Sequence, residues 1–123
     1  MLGEATAITF LGVSDLDAAR AFYEGVLGLT VVSQDGFSVV VQAGGVTIRI
    51  TRPPQVTPAS YTVLGFRVDD VSATTAGLGA RGIVFERYGW FEQDADGVWI
   101  APSGTSVAWF KDPDGNLLSI SSA

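Results

Sequence analysis

Residues 5–29 read ATAITFLGVSDLDAARAFYEGVLGL, and this stretch decides the fold. Alternating side chains over residues 5–13 predict a β-strand. Asp15, or Ser14, is placed to cap a following helix, because its side-chain oxygen accepts hydrogen bonds from the free N–H groups of the first turn. Apolar residues then recur at helical spacing, and Gly28 ends the helix because glycine adopts the left-handed backbone conformation at low cost. The stretch therefore predicts a strand, a cap and an amphipathic helix in succession.

The same pattern returns in the second half of the chain. Residues 61–82 read YTVLGFRVDDVSATTAGLGARG. A strand is predicted over residues 61–68, Asp70 stands in the capping position, and the helix that follows ends near Gly79 and Gly82. Two copies of one strand-cap-helix pattern indicate a fold built from two related modules.

Each helix is followed by three predicted strands. Glycine-containing pairs at residues 35–36 and 44–45 favour hairpin turns in the first module. The sequence Asp-Pro-Asp-Gly-Asn at residues 112–116 is a strong turn signal in the second module. The predicted strands lie at residues 29–33, 37–42, 46–51, 83–88, 105–111 and 117–121.

These elements define the fold class. We predict an α+β fold with two tandem βαβββ modules in one domain over residues 1–123. The first module covers about residues 5–51 and the second about residues 61–121. Residues 52–60 contain three prolines, which hold the backbone extended and cannot donate ladder hydrogen bonds, so this segment is predicted to be a linker.

The composition narrows the classes of partner. The 123 residues are 47 % hydrophobic and 16 % charged, which fits a globular domain. The net charge is −6 and the seven Lys and Arg residues are scattered, so a nucleic-acid partner is not expected. No apolar run approaches the ~20 residues of a membrane span, and the N-terminus lacks a basic signal region. We therefore expect a soluble cytoplasmic protein with no membrane partner.

Three sequence features together resemble the vicinal oxygen chelate superfamily. They are the repeated strand-cap-helix pattern, Phe22-Tyr23 ahead of Leu27-Gly28-Leu29, and the sequence FKDPDGN at residues 110–116. Members of this superfamily include glyoxalase I, bleomycin-resistance proteins and extradiol dioxygenases. The resemblance implies two curled mixed sheets that face each other around a cleft with the helices outside, within or across a homodimer.

The chain departs from this family at the metal-binding positions. In metal-dependent members a ligand, usually His, lies seven residues before the capping Asp of each module, and a Glu lies three residues after the Asn of the Asp-Pro-Asp-Gly-Asn turn. These positions are Ile8, Val63 and Ser119 here, and a fourth falls on Ile48 or Arg49. Ile and Val have no lone pair, and a Ser hydroxyl is a poor ligand for a divalent cation. This departure from the family therefore predicts vestigial metal positions, no bound metal and no other cofactor.

The sequence also lacks the usual catalytic side chains. It has no His to act as a base and no Cys to act as a nucleophile. It has no Gly-x-Ser-x-Gly nucleophile elbow either. We therefore predict no catalytic residue, with Glu86, Tyr88, Glu92 and Asp94 left open as acid-base groups.

Strand alternation predicts which side chains line the cleft. The cleft face is the one that bears the three vestigial metal positions, because successive side chains on a strand point to opposite sides. Trp109 should therefore line the cleft, whereas Ala108 and Phe110 should face the helices. Alternation supplies four of the predicted ligand-binding residues, and Trp90 and Trp99 come from the loop described next. The full set is Phe10, Arg67, Trp90, Trp99, Val107 and Trp109.

Residues 89–104 form an insertion that the first module lacks. Within it, residues 89–99, GWFEQDADGVW, combine three aromatic rings with three acidic side chains. One hypothesis is a loop that covers a flat or cationic ligand by stacking and cation-π contact. The alternative is a flap whose rings pack at a dimer interface.

The predicted function is metal-independent binding of a small molecule, of the glyoxalase/bleomycin-resistance type. The ligand is expected to be apolar or aromatic, with a positive charge left open, such as an antibiotic that the protein sequesters to give resistance. The expected assembly is a homodimer, either domain-swapped or side by side. The alternatives are a glyoxalase- or dioxygenase-type lyase or oxidoreductase with a divergent active site, and a non-catalytic sensor or subunit.

Overall fold

Both predicted sheets are present in the computed structural model, which describes residues 1–123. The chain divides into two units, Met1–Thr57 and Pro58–Ala123, and each unit holds one four-stranded mixed sheet and its helix. The boundary between the units lies in the proline-bearing segment of residues 52–60. The predicted α+β class with two tandem βαβββ modules is confirmed.

The first unit follows the predicted order of elements. It begins with a 3₁₀ turn at Leu2–Glu4. The sheet has the order β1-β4-β3-β2, in which β1 runs parallel to β4 and the other neighbours are antiparallel. The elements are β1 (Ile8–Gly12), α1 (Leu16–Arg20), a π-helical continuation of α1 (Ala21–Val26), β2 (Thr30–Gln34), β3 (Ser38–Ala43) and β4 (Val46–Thr51).

Side-chain caps and glycines set the boundaries of these elements. The Asp15 carboxylate accepts hydrogen bonds from the N–H groups of Asp17 (2.9 Å) and Ala18 (3.0 Å), so the predicted cap of α1 is in place. Gly44 and Gly45 have φ values of 54° and 82°, the left-handed pair that a tight β3–β4 hairpin requires. The first unit therefore places its turns where the sequence predicts them.

The second unit repeats this topology with shorter strands. Asp70 caps its helix by accepting a hydrogen bond of 2.9 Å from the N–H of Ala73. The sheet has the order β5-β8-β7-β6, in which β5 runs parallel to β8. The elements are β5 (Leu64–Arg67), α2 (Val71–Ala80), β6 (Trp99–Ile100), β7 (Ser106–Lys111) and β8 (Leu117–Ser121).

One predicted strand is wrong. Residues 83–88 are irregular, and the strand that follows α2 is the two-residue β6 inside the predicted insertion. Trp99 and Ile100 pair with Val107 and Ser106 of β7, whereas the irregular segment gives β7 a hydrogen bond of 2.7 Å from the N–H of Glu86 to the carbonyl of Trp109. The segment therefore runs beside β7 but does not form a ladder with it.

Each sheet has one face covered by its own helix. α1 packs on β3 and β4, and α2 packs on β7. In β7 the side chains of Ala108 and Phe110 are buried, whereas that of Trp109 is only half-buried. The same alternation in the first sheet buries Leu11 and leaves Phe10 58 % exposed. We call the face without the helix the open face of each sheet. Neither helix has the length and hydropathy of a membrane-spanning segment.

Candidate functional site

The open face of the second sheet carries a continuous cluster of five aromatic rings, which we call the aromatic cluster. Phe91 lies at its centre, stacked on Trp99 with ring centroids 4.8 Å apart. Its ring centroid is 5.6 Å from those of Tyr88 and Trp109 and 5.7 Å from that of Trp90. Offset and edge-on pairs at such distances are favourable because the electron-poor edge of one ring meets the electron-rich face of another.

Two strands and one loop position these rings. Trp109 comes from β7, where alternation directs it away from the buried Ala108 and Phe110. Trp99 comes from β6 and pairs in register with Val107. The other three rings come from the segment between α2 and β6, so the cluster depends on the path of that segment.

The side chain of Gln93 holds this segment in place. Its Nε2 donates to the carbonyls of Glu86 and Gly97, both at 2.8 Å, and its Oε1 accepts a bond of 2.7 Å from the N–H of Tyr88. One amide side chain thus joins the two sides of the loop. Because Phe91 lies between Tyr88 and Gln93 in the sequence, these bonds also constrain the backbone that carries the central ring of the cluster.

Arg87 and Asp94 complete the loop. The guanidinium of Arg87 donates to the carbonyls of Asp94 and Ala95, both at 2.6 Å. The Asp94 carboxylate accepts bonds of 2.9 Å from the N–H groups of Asp96 and Val98. One of the three acids in the predicted insertion is therefore engaged with the loop backbone.

Replacing Gln93 with Glu should release the aromatic cluster. The carboxylate keeps an acceptor for the N–H of Tyr88 but cannot donate to the carbonyls of Glu86 and Gly97, which it would instead repel. We expect the near-ultraviolet circular dichroism of the rings to fall sharply, with a loss of about 1–3 kcal/mol in the free energy of unfolding. Glu92→Gln, a change at the exposed neighbouring position, is the control. An unchanged near-ultraviolet spectrum in Gln93→Glu would show that the loop holds without this side chain.

The charged groups beside the cluster compensate each other. Lys111 Nζ lies 3.5 Å from Glu86 Oε1. Burial raises the pKa of Tyr88 above its ordinary value of 10.0, and the Glu86 carboxylate raises this pKa further, while Lys111 lowers it. The Tyr88 phenol is therefore neutral at neutral pH and is able to donate a hydrogen bond.

The remaining predicted binding residues of the second unit form a row across the same face. Arg67 pairs with Ser121, Ser121 with Val107, and Val107 with Trp99. Arg67 is exposed at the end of β5. Five of the six predicted ligand-binding residues thus belong to the second unit, four on its open face and Trp90 in the loop that completes the cluster.

Phe10, the sixth predicted residue, lies on the open face of the first sheet. It pairs in register with Arg49, and the Arg49 guanidinium carbon lies 5.8 Å from the centroid of its ring. That distance is within the range of a cation-π contact. Arg49 was considered above only as a metal position, and its contact with Phe10 gives it a different role.

The three vestigial metal positions do not offer the donor atoms of a metal site. Ile8 lies on the open face of the first sheet with 42 % of its surface exposed, and Val63 donates its N–H to the carbonyl of Leu117. Ser119 is buried and pairs with Gly65, and a Cβ at Gly65 would lie 2.9 Å from the Ser119 hydroxyl oxygen. No group of three or more His, Cys, Asp or Glu side chains is arranged to hold an ion. The residues present therefore do not fit the metal that the family resemblance would supply.

Sequence reasoning missed one member of the cluster and the residue that holds it. Tyr88 was considered only as an acid-base group, and Gln93 was not predicted to contribute to the site. Phe91 was included only as one of the three rings of the loop that the stacking hypothesis covered. The concentration of rings at residues 88–91 is a signal that could have indicated Tyr88 and Phe91. The role of Gln93 depends on loop geometry, which no local pattern encodes.

Comparison with known proteins places the chain within one family of folds. The family model described as Glyoxalase/Bleomycin resistance protein/Dioxygenase superfamily matches residues 6–120. No curated protein sequence matches the chain.

Several solved structures of other proteins are similar to this chain over nearly its whole length. A bleomycin-binding protein complexed with bleomycin is 28% identical, with a TM-score of 0.73 and 95% of this chain and 97% of that chain covered. A bleomycin resistance determinant encoded on the transposon Tn5 is also 28% identical, with a TM-score of 0.72 and 94% of each chain covered. A lactoylglutathione lyase from Agrobacterium tumefaciens is 25% identical, with a TM-score of 0.73 and 96% of this chain and 92% of that chain covered.

Proposed function

Because this chain belongs to the glyoxalase/bleomycin resistance protein/dioxygenase superfamily, we propose that it binds an aromatic small molecule without using a metal ion. The observation that carries the proposal is the aromatic cluster on the open face of the second sheet. Small-molecule sites are mostly apolar and aromatic surfaces with a few polar groups that set orientation. The cluster supplies the rings and the neutral Tyr88 phenol. Arg67 lies on the same open face, three strands away from Trp99.

The residues at the metal positions favour binding over catalysis. Two of the similar structures are a bleomycin-binding protein and a bleomycin resistance determinant, at 28% identity each. A lyase function has the support of one lactoylglutathione lyase at 25% identity, but Ile8 and Val63 supply no donor atom for a catalytic metal. Sequestration of an antibiotic is therefore the form of the proposal that we favour. The cysteine-free sequence is compatible with a reducing compartment such as the cytoplasm.

Calorimetric titration with bleomycin and a panel of aromatic antibiotics tests the proposal. Trp109→Ala should weaken binding of any aromatic ligand of this site by about 1–3 kcal/mol, because it removes a ring that contacts three others in the cluster. Phe37→Ala removes an exposed ring from the first unit and is the control. The proposal fails if no aromatic compound binds, or if Trp109→Ala and Phe37→Ala retain equal affinity.

Metal removal should leave the protein unchanged. Ligands of the native state raise its stability by about 2.7 kcal/mol at a hundredfold excess over their dissociation constant, so a bound metal would register as a chelator effect. We expect the protein to purify without stoichiometric Ni, Zn, Fe or Mn, and its melting temperature to be the same with and without chelator. One tightly held metal per chain after dialysis would contradict this expectation.

A twofold homodimer is the assembly that we propose. Ile8 and Phe10 leave 42 % and 58 % of their surfaces exposed on the open face of the first sheet, and apolar side chains grouped in this way favour a partner surface. Whether such a dimer is domain-swapped or side by side stays open. Sedimentation velocity at micromolar concentration should give twice the chain mass. A monomer with native circular dichroism would contradict the dimer.

A further inference from the structure

A surface pocket of about 260 Å³ lies at one side of the aromatic cluster, within the second unit. Tyr88, Phe91 and Trp109 line it, and the exposed rings of Tyr61 and Trp90 stand at its edges. Thr62 is among its polar lining residues. Of the rings that line this pocket, Tyr61 and Tyr88 were not predicted from the sequence to contact a ligand.

The pocket is preformed by contacts within the unit. Tyr88 meets Trp109 edge-to-face at 5.5 Å, and its centroid lies 5.0 Å from that of Trp90. The hydrogen bonds of Gln93 to Glu86 and Tyr88 hold the backbone of the loop that carries Tyr88 and Phe91. A ligand therefore meets a surface that is already ordered, which reduces the entropy cost of binding.

We infer that this pocket is a subsite for one planar, uncharged ring system of one or two fused rings with a hydrogen-bond acceptor. This inference rests on the proposed function and names the part of the ligand that the second unit recognises. A cavity of about 150 Å³ holds a single benzene ring, and drug-sized ligands occupy about 300–1,000 Å³, so the pocket volume suits a fragment between these sizes.

The lining of the pocket favours an uncharged ring, because it contains no acidic or basic side chain. Outside the lining, Glu86 and Lys111 act on Tyr88 and form an ion pair at 3.5 Å. The Tyr88 phenol is protonated at neutral pH, since its ordinary pKa of 10.0 is raised further by burial, and a protonated phenol donates to an acceptor such as a ring nitrogen. A flat ring with an acceptor atom thus matches both the aromatic walls and the donor.

Quinoline and acridine form a matched pair of probes, since both carry one ring nitrogen and they differ by one fused ring. Binding is followed by ¹H–¹⁵N NMR of the full chain. Quinoline should shift the amide signals of Thr62 and Leu117, and acridine should bind at least tenfold more weakly. Tighter binding of acridine, or largest shifts at Val107 and Ser121 instead, would overturn the subsite.

Two variants at the mouth of the pocket distinguish binding in the pocket from non-specific adsorption to apolar surface. Tyr61→Ala and Trp90→Ala remove rings that are 70 % and 77 % exposed, so the fold should survive, and each should weaken quinoline binding at least tenfold. Phe37→Ala, which removes an exposed ring from the first unit, should change the affinity for quinoline less than twofold. Equal affinity in all three variants would overturn the inference.

If bleomycin binds and quinoline does not, only the subsite is wrong, whereas quinoline binding without any antibiotic binding contradicts the sequestration function alone.

Discussion

Replacing Phe110 with Ala should lower the free energy of unfolding by about 3–5 kcal/mol, because the change leaves a cavity in the core of the second unit. Phe110 is 1 % exposed, and its ring meets that of Phe85 edge-to-face at 5.8 Å. It pairs in register with the fully buried Leu118 of β8. The cavity would therefore be enclosed on the helix side of the sheet, where little can collapse into it. Chemical denaturation followed by circular dichroism measures the loss.

Trp109→Ala is the matched control for Phe110→Ala, because it removes a larger ring from the adjacent residue. We expect a smaller loss of stability, since Trp109 is only half-buried on the open face. Its contacts with Tyr88, Phe91 and Trp99 should be lost. Because the ring is half-exposed to water, we expect these pairs to contribute near the lower end of the usual range, about 0.5 kcal/mol each. If Trp109→Ala were the more destabilising change, the assignment of the two faces of β7 would be inverted.

Asp112→Ala should cost about 2–4 kcal/mol of stability, since a hydrogen bond to a charged group contributes about 1.5–3 kcal/mol and leaving buried partners unpaired adds to the loss. One carboxylate oxygen accepts bonds from the N–H groups of Asp114 (3.0 Å) and Asn116 (2.8 Å). The other accepts a bond of 2.8 Å from the Asn116 side-chain amide. Asp112 and Asn116 are both buried, so water does not easily replace these bonds.

Two further variants define what Asp112 contributes. Asp112→Asn keeps one acceptor oxygen and should lose roughly half as much stability as Asp112→Ala. Asp69→Ala, at an exposed carboxylate before α2, should change stability by less than about 0.5 kcal/mol. Thermal denaturation of the three variants would test this order. A loss as small in Asp112→Ala as in Asp69→Ala would mean that the β7–β8 turn forms without the carboxylate.

Local signals in the sequence were sufficient for most of the fold. The cap residues Asp15 and Asp70 accept the predicted hydrogen bonds, and β4 has the predicted bounds, Val46–Thr51. Such features depend on a side chain and its nearest neighbours along the chain. They are encoded within a few residues, and a single sequence therefore reveals them.

The wrong strand at residues 83–88 shows where local signals end. This segment and residues 99–100 both contain apolar strand-forming side chains, and both lie beside β7. Which of them forms the ladder depends on how the intervening loop closes, and Gln93 closes it with bonds that tie Glu86 and Tyr88 to residues further along the chain. Strand propensity alone does not contain that information.

The candidate site was predictable in its strand residues and not in its loop. Alternation in β7 was enough to separate Trp109 from Ala108 and Phe110. The positions of Tyr88 and Phe91 in the cluster follow from the loop path instead. Whether the predicted residues bind a ligand stays a prediction until titrations are made.

The hydrogen bonds that anchor the loop go to main-chain groups and not to its aromatic side chains. Gln93 and Arg87 bind carbonyl and N–H groups of the main chain, which every residue at those positions except proline retains. Substitution of Trp90 or Phe91 therefore leaves the anchoring bonds in place while it changes the surface that a ligand meets. In a family with many ligands, such a loop allows specificity to diverge by single substitutions without the loss of the scaffold. The same property makes positions 90 and 91 suitable sites for a randomised library directed at new ligands.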